Sequence, residues 1–388
     1  MRIALLTWES LHSIPVGGVA AHVTELAAAL ERKGNEVHVF TRGGWGQSHL
    51  ERIHGVWYHR CPFDLNRNFV DEIQNMCRSF VHHVFATENY MAAAFDIIHA
   101  HDWLASNAMV WIKQGRMRKA ILTIHSSEYG RCANNFWSGQ SARIREHERH
   151  ATYCADRVIA VSGALKGELM WMYNLPDWKV NVIHNGVAVH AFDGWIPDPG
   201  VIRRGYAIGP LDPMVLFSGR MTTQKGPDLL VEAIPMVLRY YPRAKFVFAG
   251  AGDLRGSCEQ RANQLGVAHA CRFLGYRGGV ELQNLYKISD VVCVPSRNEP
   301  FGITILEAWS AGKPVVASKN GGPNEIVWHE VTGLKIYPTP ESIAWGLGTL
   351  FTNFEWARWM GRNGRVAAET AFSWDVIADR TLGVYWAF

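Results

Sequence analysis

Short apolar runs alternate along the chain with longer segments in which apolar positions recur every three or four residues. This alternation is typical of parallel βαβ units, in which buried strands are joined by amphipathic helices. In the first half, strands are predicted at residues 3–7, 36–41, 56–60, 96–101, 120–125, 157–162 and 180–184. In the second half, strands are predicted at residues 214–218, 245–249, 271–275, 291–295, 314–318 and 333–336.

The segment after the first strand has the spacing of a helix with one buried face. Its apolar positions follow one another at intervals of four, three and four residues: Val19, Val23, Leu26 and Leu30. Such spacing places the side chains on one side of a helix, and Gly34 is a residue at which that helix can end.

The alternation breaks between residues 187 and 213. Here WIPDPG and GPLDP contain four prolines without a sustained period, which predicts a linker. We therefore predict a first domain over residues 1–190, a linker over 191–212 and a second domain over 213–372. A final helix is predicted over residues 373–388. The expected fold class is α/β, with two successive Rossmann-like domains.

The chain length and charge agree with a soluble two-domain enzyme. A chain of 388 residues is long enough for two ordinary domains, each with its own core. Its hydrophobic content is 48% and its formal net charge only +4, which argues against a dedicated nucleic-acid-binding protein.

The cysteines and the hydropathy of the chain indicate in which compartment of the cell the protein is expected. The seven cysteines are scattered and form no C-x-x-C pair, which favours reduced thiols in a cytoplasmic protein over disulfides or a zinc site. The first apolar run is too short for a signal peptide, and no stretch is long enough for a membrane span. The basic tract QGRMRK leaves peripheral contact with an anionic membrane open.

The segment SRNEPFGITILEAWSAGKPVVASKNGGPNE carries the strongest chemical signal. Glu299 and Glu307 stand eight positions apart, and a helix is predicted between them. If residues 301–311 are helical, the two carboxylates are separated by roughly 12 Å along the axis, about the length of a nucleotide diphospho-sugar from ribose to hexose. One element could then hold a ribose at Glu307 and a sugar at Glu299. The diphosphate would lie at the backbone amides of Phe301, Gly302 and Ile303.

Two cations precede this segment in FSGRMTTQKG. Arg220 and Lys225 lie on a loop that leads into a predicted helix, and both side chains suit phosphate oxygens. No D-x-D motif occurs in the sequence. We therefore expect these two fixed cations to neutralise a departing diphosphate, with no metal site and no cofactor required.

The first half contains two further candidate loops. Gly17 and Gly18 precede the first helix, where glycines allow a phosphate to approach the backbone, although a tight turn would look the same. His125 ends one predicted strand, and His101-Asp102-Trp103 ends another. A histidine at such a tip can contact a sugar hydroxyl, whereas Asp102 is either an acceptor-side group or the N-cap of the next helix.

Together these motifs resemble the retaining GT-B glycosyltransferases of family four and of the glycogen and starch synthases. The resemblance rests on five motifs in family order: the G-G loop, H-D-W, T-I-H, G-R-x4-K-G and E-x7-E. It implies an active-site cleft between the two domains and a C-terminal helix that packs back on the first. It also implies that the G-G loop caps the donor diphosphate, that His125 lies at the sugar end, and that the loop with Tyr276 lies near the nucleobase.

The implied reaction transfers a hexosyl group, most simply glucosyl from ADP- or UDP-glucose, to an acceptor hydroxyl with retention at the anomeric carbon. The resemblance implies a front-face mechanism in which the leaving diphosphate helps to take the acceptor proton. The motifs H-D-W and T-I-H favour an α-glucan acceptor. The shortness of the chain, and V-G-G where many such synthases have K-x-G-G, leave small-molecule or lipid-linked acceptors open.

Two other classes of function also remain open at this point. One is a GT-B epimerase or phosphorylase, and the other is a non-catalytic sugar-binding module. The charged segment with Arg143, Arg145 and Arg149 is interpreted as a solvated helix face, with a phosphate-bearing acceptor as the alternative. The oligomeric state is not predicted.

Overall fold

The structure, a computed structural model, describes residues 1–387. The chain forms two compact units. Unit 1 comprises Met1–Asn185 and the C-terminal helix Trp374–Trp386, and unit 2 comprises Gly186–Ser373.

Over residues 1–387, unit 1 contains eight strands and unit 2 contains six. The strands of unit 1 are β1 (Arg2–Leu6), β2 (Glu36–Thr41), β3 (Leu50–Ile53), β4 (Val56–Arg60), β5 (Ile97–His101), β6 (Lys119–Ile124), β7 (Arg157–Ala160) and β8 (Val180–Val182). Those of unit 2 are β9 (Met214–Ser218), β10 (Lys245–Ala249), β11 (Cys271–Gly275), β12 (Val291–Val294), β13 (Val315–Ser318) and β14 (Gly333–Ile336).

Helices cover the sheets. Those of unit 1 are α1 (Gly18–Arg32), α2 (Phe69–Met91), α3 (Asp102–Arg116), α4 (Glu128–Arg131), α5 (Gln140–Cys154), α6 (Gly163–Tyr173) and, at the C-terminus, α15 (Trp374–Trp386). Those of unit 2 are α7 (Pro199–Gly205), α8 (Pro227–Leu238), α9 (Arg255–Gln264), α10 (Gly279–Ile288), α11 (Ile303–Ser310), α12 (Pro323–Ile326), α13 (Pro340–Thr352) and α14 (Phe354–Ala371). Short 3-10 turns lie at Asp177–Lys179, Val189–Phe192 and Ala268–Ala270.

The order of strands reverses near the middle of each sheet. In unit 1 the order is β3-β4-β2-β1-β5-β6-β7-β8, and every described pair is parallel except β3 with β4. In unit 2 the order is β11-β10-β9-β12-β13-β14, with parallel pairs throughout. The central strands are buried on both faces, which is why they appear in the sequence as continuous apolar runs and not as alternating ones.

The predicted fold class is therefore confirmed, and each predicted strand is present to within two residues at either end. The edge strand β3 was not predicted. Its four residues, LERI, are mostly exposed, and it pairs antiparallel with β4 across the turn at His54-Gly55. A short, polar edge strand has no hydrophobic pattern by which it could be found.

The predicted linker, residues 191–212, is not an independent connector. It contains α7, and the Arg203 guanidinium on that helix is buried in unit 2. Arg203 Nε donates to the carbonyl of Ile288 at 3.0 Å, and Nη2 forms an ion pair with Asp290 at 3.1 Å. The prolines end the regular pattern, but a buried arginine ties the segment to the sheet.

The C-terminal helix α15 packs against α1 within unit 1. Arg32 pairs with Asp375 at 2.7 Å and Lys33 with Asp379 at 2.8 Å. The hydroxyl of the buried Tyr385 lies 2.6 Å from Nδ1 of His99 on β5. None of the described helices is long and apolar enough to cross a membrane.

Helix α14 approaches the α11–β13 turn so closely that one glycine is required. A Cβ atom at Gly361 would lie 2.1 Å from the carbonyl oxygen of Gly312. We expect Gly361→Ala to lower the free energy of unfolding by about 1–3 kcal/mol, because backbone must move to admit the methyl group. Gly256→Ala on α9 is the matched control, since nothing lies within 4 Å of its Cβ position. Denaturant unfolding of both variants tests this, and equal stability would contradict the close approach.

Candidate active site

The carboxyl ends of β9 and β12 lie side by side at the point where the strand order of unit 2 reverses. In open parallel sheets, ligands bind in the crevice beyond the strand ends at such a point. Arg220 comes two residues after β9, and Glu299 follows β12. Two of the residues singled out in the sequence are thus brought to the same edge of the sheet.

Glu299 is buried and paired with Lys225. Its Oε2 atom accepts hydrogen bonds from Lys225 Nζ at 2.7 Å and from Ser296 Oγ at 3.1 Å. Glu299 is 5% exposed, whereas the lysine side chain keeps 24% of its surface accessible. The lysine side chain therefore stays partly accessible while its ammonium group pairs with the carboxylate.

The loop that carries Glu299 is held by two glycines after β13. The backbone amide of Gly322 donates to the carbonyl of Glu299 at 2.9 Å. A Cβ at Gly321, where φ is +78°, would lie 2.2 Å from that same carbonyl oxygen, and one at Gly322 would lie 2.4 Å from Cα of Phe301. Only glycine allows these two backbone segments to touch, so this pair positions the loop with Glu299.

Helix α11 begins at Ile303, later than the sequence analysis assumed. Gly302 precedes it in a left-handed conformation, with φ at +102°, and Phe301 is buried in the loop. The assumption that residues 301–302 are helical is therefore wrong. The reason is that Phe301 is fixed against Gly322 before the chain can turn into the helix. Glu307 lies about one turn, roughly 6 Å, from the start of α11.

Glu307 is half-buried on α11 and is oriented by one neighbour. Its Oε2 atom accepts a hydrogen bond from the Tyr286 hydroxyl at 2.6 Å. Burial raises the pKa of the Glu307 carboxyl, and the Tyr286 hydrogen bond opposes that shift. Its Oε1 atom accepts no hydrogen bond from any described residue. One oxygen thus anchors the carboxylate while the other is available to an incoming hydroxyl group.

The remaining predicted donor residues of unit 2 are more exposed. Arg220 forms no side-chain hydrogen bond or ion pair within the described part of the chain, and it lies open to solvent. Tyr276 is 75% exposed and follows β11, which is separated from β9 by β10. The structure brings Arg220 near the strand-order reversal and leaves base contact by Tyr276 as a prediction.

In unit 1, the G-G loop already contains an internal anion. Helix α1 begins at Gly18, and the Glu9 carboxylate accepts from the amides of Val16 at 2.8 Å and Gly17 at 2.5 Å. Burial raises the pKa of Glu9, and those two hydrogen bonds oppose the shift. Glu9 was not predicted, because it lies outside the G-G motif and bonds back to it.

Asp102 positions the strand tip that bears His125. Its Oδ1 atom accepts from the backbone amide of His125 at 2.7 Å. Among the described residues no hydrogen bond joins this carboxylate to the first turn of its own helix, and it bonds instead to the neighbouring strand end. Asp102 also has φ at +57°, a strained conformation for a residue with a side chain.

The loop after His125 is supported by a buried ion network from α5. Arg131 donates to the carbonyl of Ser126 at 2.5 Å and pairs with Glu148 at 2.6 Å. Glu148 is fully buried and also accepts from the hydroxyl of Tyr173. The buried face of α5 was not predicted. In the sequence, Glu148 stands among charged residues that are exposed, such as Arg143 and Arg149, and nothing there distinguishes it from them.

Two family models match the chain, one in each half. The model described as "Glycosyltransferase Family 4" matches residues 16–190, and "Glycosyl transferases group 1" matches residues 201–367. An uncharacterised glycosyltransferase of Methanocaldococcus jannaschii is 38% identical over 99% of this chain and 98% of its own length. The chain belongs to the GT-B glycosyltransferases.

Other relatives of this glycosyltransferase differ in their named activities. A D-inositol 3-phosphate glycosyltransferase of Saccharomonospora viridis is 30% identical over 99% of this chain and 93% of its own. A glycogen synthase of Mycobacterium tuberculosis is 27% identical over 100% and 95% of the two chains. The solved sucrose-phosphate synthase of Thermosynechococcus elongatus is similar with a TM-score of 0.82, 24% identity, and coverage of 99% of this chain and 98% of its own. That likeness shows the shared GT-B fold.

Three histidines of the glycosyltransferase meet where the strand order of unit 1 reverses. His22 on α1, His101 at the end of β5 and His125 after β6 come together, and one nitrogen from each ring lies within 4.8 Å of the others. The rings of His22 and His125 are 4.4 Å apart, and those of His22 and His101 are 5.2 Å apart. We call these three residues the histidine cluster. His22 had no place in the predicted site.

Burial keeps the cluster uncharged near neutral pH. Burial lowers the pKa of His125 to about 3, and it holds the pKa values of His22 and His101 well below the ordinary histidine value. Below about pH 6.5 the unfolded chain therefore binds protons that the folded chain does not, so this contribution to stability is lost as the pH falls from about 6.5 toward 3.

The pKa of His125 can be measured directly. In the folded glycosyltransferase we expect its ring resonances to stay constant between pH 8 and pH 5, because the neutral form persists throughout. Nuclear magnetic resonance of histidine-labelled protein is the measurement, with His125→Gln to identify the signals. A titration midpoint near 6.5 would show that the ring is solvated.

Proposed function

We propose that this protein transfers a hexosyl group from a nucleotide diphospho-sugar to an acceptor hydroxyl, with retention at the anomeric carbon and without a metal ion. The observation that carries the proposal is the pairing of Lys225 with Glu299 at the carboxyl ends of β9 and β12, close in the chain to the unpaired Arg220. Cations and a buried carboxylate at one sheet edge suit a ligand that has phosphate at one end and hydroxyls at the other.

The diphosphate would lie against Arg220 and Lys225. A planar guanidinium and a point ammonium charge are both strong partners for phosphate oxygens. They would stabilise the negative charge that grows on the leaving diphosphate, which is the term expected to contribute most to the rate. A structural neighbour of 20% identity, HepE of Anabaena, was solved with UDP and glucose, and this supports a nucleotide-sugar donor.

Glu307 would bind the ribose. Its Oε2 atom is held by Tyr286, so the carboxylate presents Oε1 to a hydroxyl group in a fixed direction. The sugar would lie at the other carboxylate, Glu299, whose ion pair with Lys225 joins the sugar and phosphate ends of the site. Base contact by Tyr276 and sugar contact by His125 belong to the same proposal.

Retention would occur without a covalent intermediate. Retaining glycosidases of the usual kind place two carboxylates about 5–5.5 Å apart, one of which attacks the sugar. Glu299 is instead engaged by a lysine and a serine, which makes it a poor nucleophile. The acceptor hydroxyl would attack from the face that the diphosphate leaves, and a phosphate oxygen would take its proton.

An α-glucan is the proposed acceptor. The H-D-W and T-I-H motifs support it, as does the relative named glycogen synthase at 27% identity. A small acceptor bearing phosphate is the second candidate, because the relative named D-inositol 3-phosphate glycosyltransferase is 30% identical over nearly the full length.

A matrix of donors and acceptors tests the proposal. ADP-, UDP- and GDP-sugars would be incubated with malto-oligosaccharide, inositol phosphate or no acceptor, and nucleotide release and product linkage would be measured. Glucosyl transfer to malto-oligosaccharide with an α linkage is expected. Transfer to inositol phosphate alone would show that the acceptor is a small phosphate-bearing molecule and not an α-glucan. A β-linked product from an α-linked donor would overturn retention. Sugar isomerisation, or binding without turnover, would point to an epimerase or to a binding module.

Removing either fixed cation should slow the reaction much more than it weakens the fold. We expect Arg220→Ala to lower kcat by about 10²–10³-fold, equivalent to about 3 kcal/mol of transition-state stabilisation. Lys225→Ala should act similarly but also leaves Glu299 unpaired, so Arg220 gives the cleaner result. Arg239→Ala, an exposed arginine after the C-terminus of α8, is the control. A near-normal kcat for Arg220→Ala at saturating donor would refute its phosphate role.

Turnover should survive excess chelator, because the two side-chain cations take the place of a divalent metal on the diphosphate. The measurement is the initial rate of nucleotide release with and without EDTA, after removal of bound metal. Activity that disappears with EDTA and returns with Mg²⁺ or Mn²⁺ would show that a divalent metal, and not the two side chains, neutralises the diphosphate.

The two glutamates should show different kinetic signatures. Glu307→Gln should raise the KM for the donor at nearly constant kcat, because a ribose contact acts equally in the ground and transition states. Glu299→Gln should mainly lower kcat, because it faces the sugar where charge develops. The two roles are distinguished by steady-state kinetics of each variant and by its affinity for the nucleoside diphosphate. The opposite assignment would mean that the donor lies reversed along α11.

A further inference from the structure

We propose that the histidine cluster binds one transition-metal ion of the Zn²⁺ type and that this ion inhibits the transferase. The binding site depends only on the geometry of unit 1. The inhibition rests in addition on the proposed function, in which His125 contacts the donor sugar. Such an ion is a ligand distinct from the diphosphate and is not required for the reaction.

His22 is arranged as a metal ligand. Its Nδ1 atom lies 2.9 Å from Oδ1 of Asn185, and an amide oxygen only accepts, so Nδ1 carries the proton. The lone pair is therefore on Nε2, which is buried and has no hydrogen-bond partner in the described chain. A histidine whose second nitrogen is held by an amide or carboxylate oxygen is the usual form of a metal-bound histidine.

His101 presents a second unpartnered nitrogen to the same place. Its Nε2 atom is also buried without a hydrogen-bond partner among the described residues, and the residue is 1% exposed. Its ring stacks at 4.4 Å on His99, which is held between the Tyr385 and Thr123 hydroxyls. When His101 Nδ1 donates its proton to His125 Nε2, the Nε2 atom of His101 is a lone acceptor like that of His22. Two buried acceptors without a partner are costly unless a ligand binds them.

The third ligand is a nitrogen of His125, the partly exposed member of the cluster. Its backbone is fixed by Asp102, and the hydrogen bond of its ring among the described residues joins Nε2 to Nδ1 of His101 at 3.2 Å. In a tetrahedral zinc site, with Zn–N of about 2.0–2.1 Å, ligand nitrogens lie about 3.4 Å apart. The ligand nitrogens of the three rings lie up to 4.8 Å apart, so they must move closer together to bind one ion. The His125 ring would turn to do this, which breaks its hydrogen bond to His101 and frees the lone pair of His125 for the metal.

The chemistry of the three ligands selects the metal. Imidazole nitrogens favour Zn²⁺, Cu²⁺, Ni²⁺ and Co²⁺, whereas Mg²⁺, Ca²⁺ and Mn²⁺ prefer oxygen ligands. The Asp102 carboxylate accepts hydrogen bonds from the backbone amides of His125 and Ser126, and so supports the site without occupying it. The fourth position would be taken by water, as in open three-histidine sites.

Metal binding can be tested without any substrate. The tag-free, metal-free chain would be titrated with Co²⁺, followed by visible absorption, and with Zn²⁺ in competition with a coloured chelator. We expect one equivalent to bind at micromolar concentration or below, with the absorption of tetrahedral cobalt. His22→Gln, His101→Gln and His125→Gln should each weaken binding at least tenfold. His59→Gln, which removes a histidine paired with His38 elsewhere in unit 1, should not.

The fold of each variant would be checked by circular dichroism. If either buried substitution prevents folding, His125→Gln still decides the question, because that residue is partly exposed. Millimolar binding to the wild type, or equal binding by wild type and His125→Gln, would overturn the site.

Inhibition by the metal ion is tested in a separate experiment. Zn²⁺ should reduce nucleotide release over the concentration range in which it binds, and EDTA should restore the rate. An unaffected rate at full occupancy would refute the inhibition and leave the site intact. Absence of any transferase activity, with metal bound as expected, would instead count against the proposed function alone.

Discussion

The reversal of strand order at the centre of each sheet is the constraint on which the rest of this structure depends. In a parallel sheet all strands end at one edge, but loops usually diverge to cover one face or the other. Where the order reverses, between β1 and β5 in unit 1 and between β9 and β12 in unit 2, neighbouring loops diverge to opposite faces and leave a crevice. The Lys225–Glu299 pair of unit 2 and the histidine cluster of unit 1 lie there.

The crevice of unit 2 holds two carboxylates, one buried and one half-buried. Removing Glu299 from water would be unfavourable without Lys225 and Ser296, and the half-buried Glu307 is similarly satisfied by Tyr286. In each case the partner holds the carboxylate in one orientation. These carboxylates are therefore preorganised, because the freedom of their side chains has already been lost during folding, as the proposed donor site requires.

Much of the fold could be predicted from the sequence because the strands are buried on both faces and appear as unbroken apolar runs. Short-range motifs such as E-x7-E were equally visible. The start of α11 was not, because it depends on the contact of Phe301 with Gly322, a partner from another loop. The same reason hid Glu9, Glu148 and His22, whose hydrogen bonds, ion pairs and ring contacts are made with residues that the fold brings near. No local pattern marks them.

The carboxylate of Glu9 has a consequence for the way the G-G loop exchanges its partners. Because it accepts from the amides of Val16 and Gly17, the loop is held by a group of the chain itself. Any external anion that uses these amides must compete with this tethered one, whose effective local concentration is high. Binding becomes an exchange between two acceptors, so affinity is lower than the contacts alone would suggest. Release of the external anion is correspondingly easier, because Glu9 can again accept hydrogen bonds from the two amides as the anion departs.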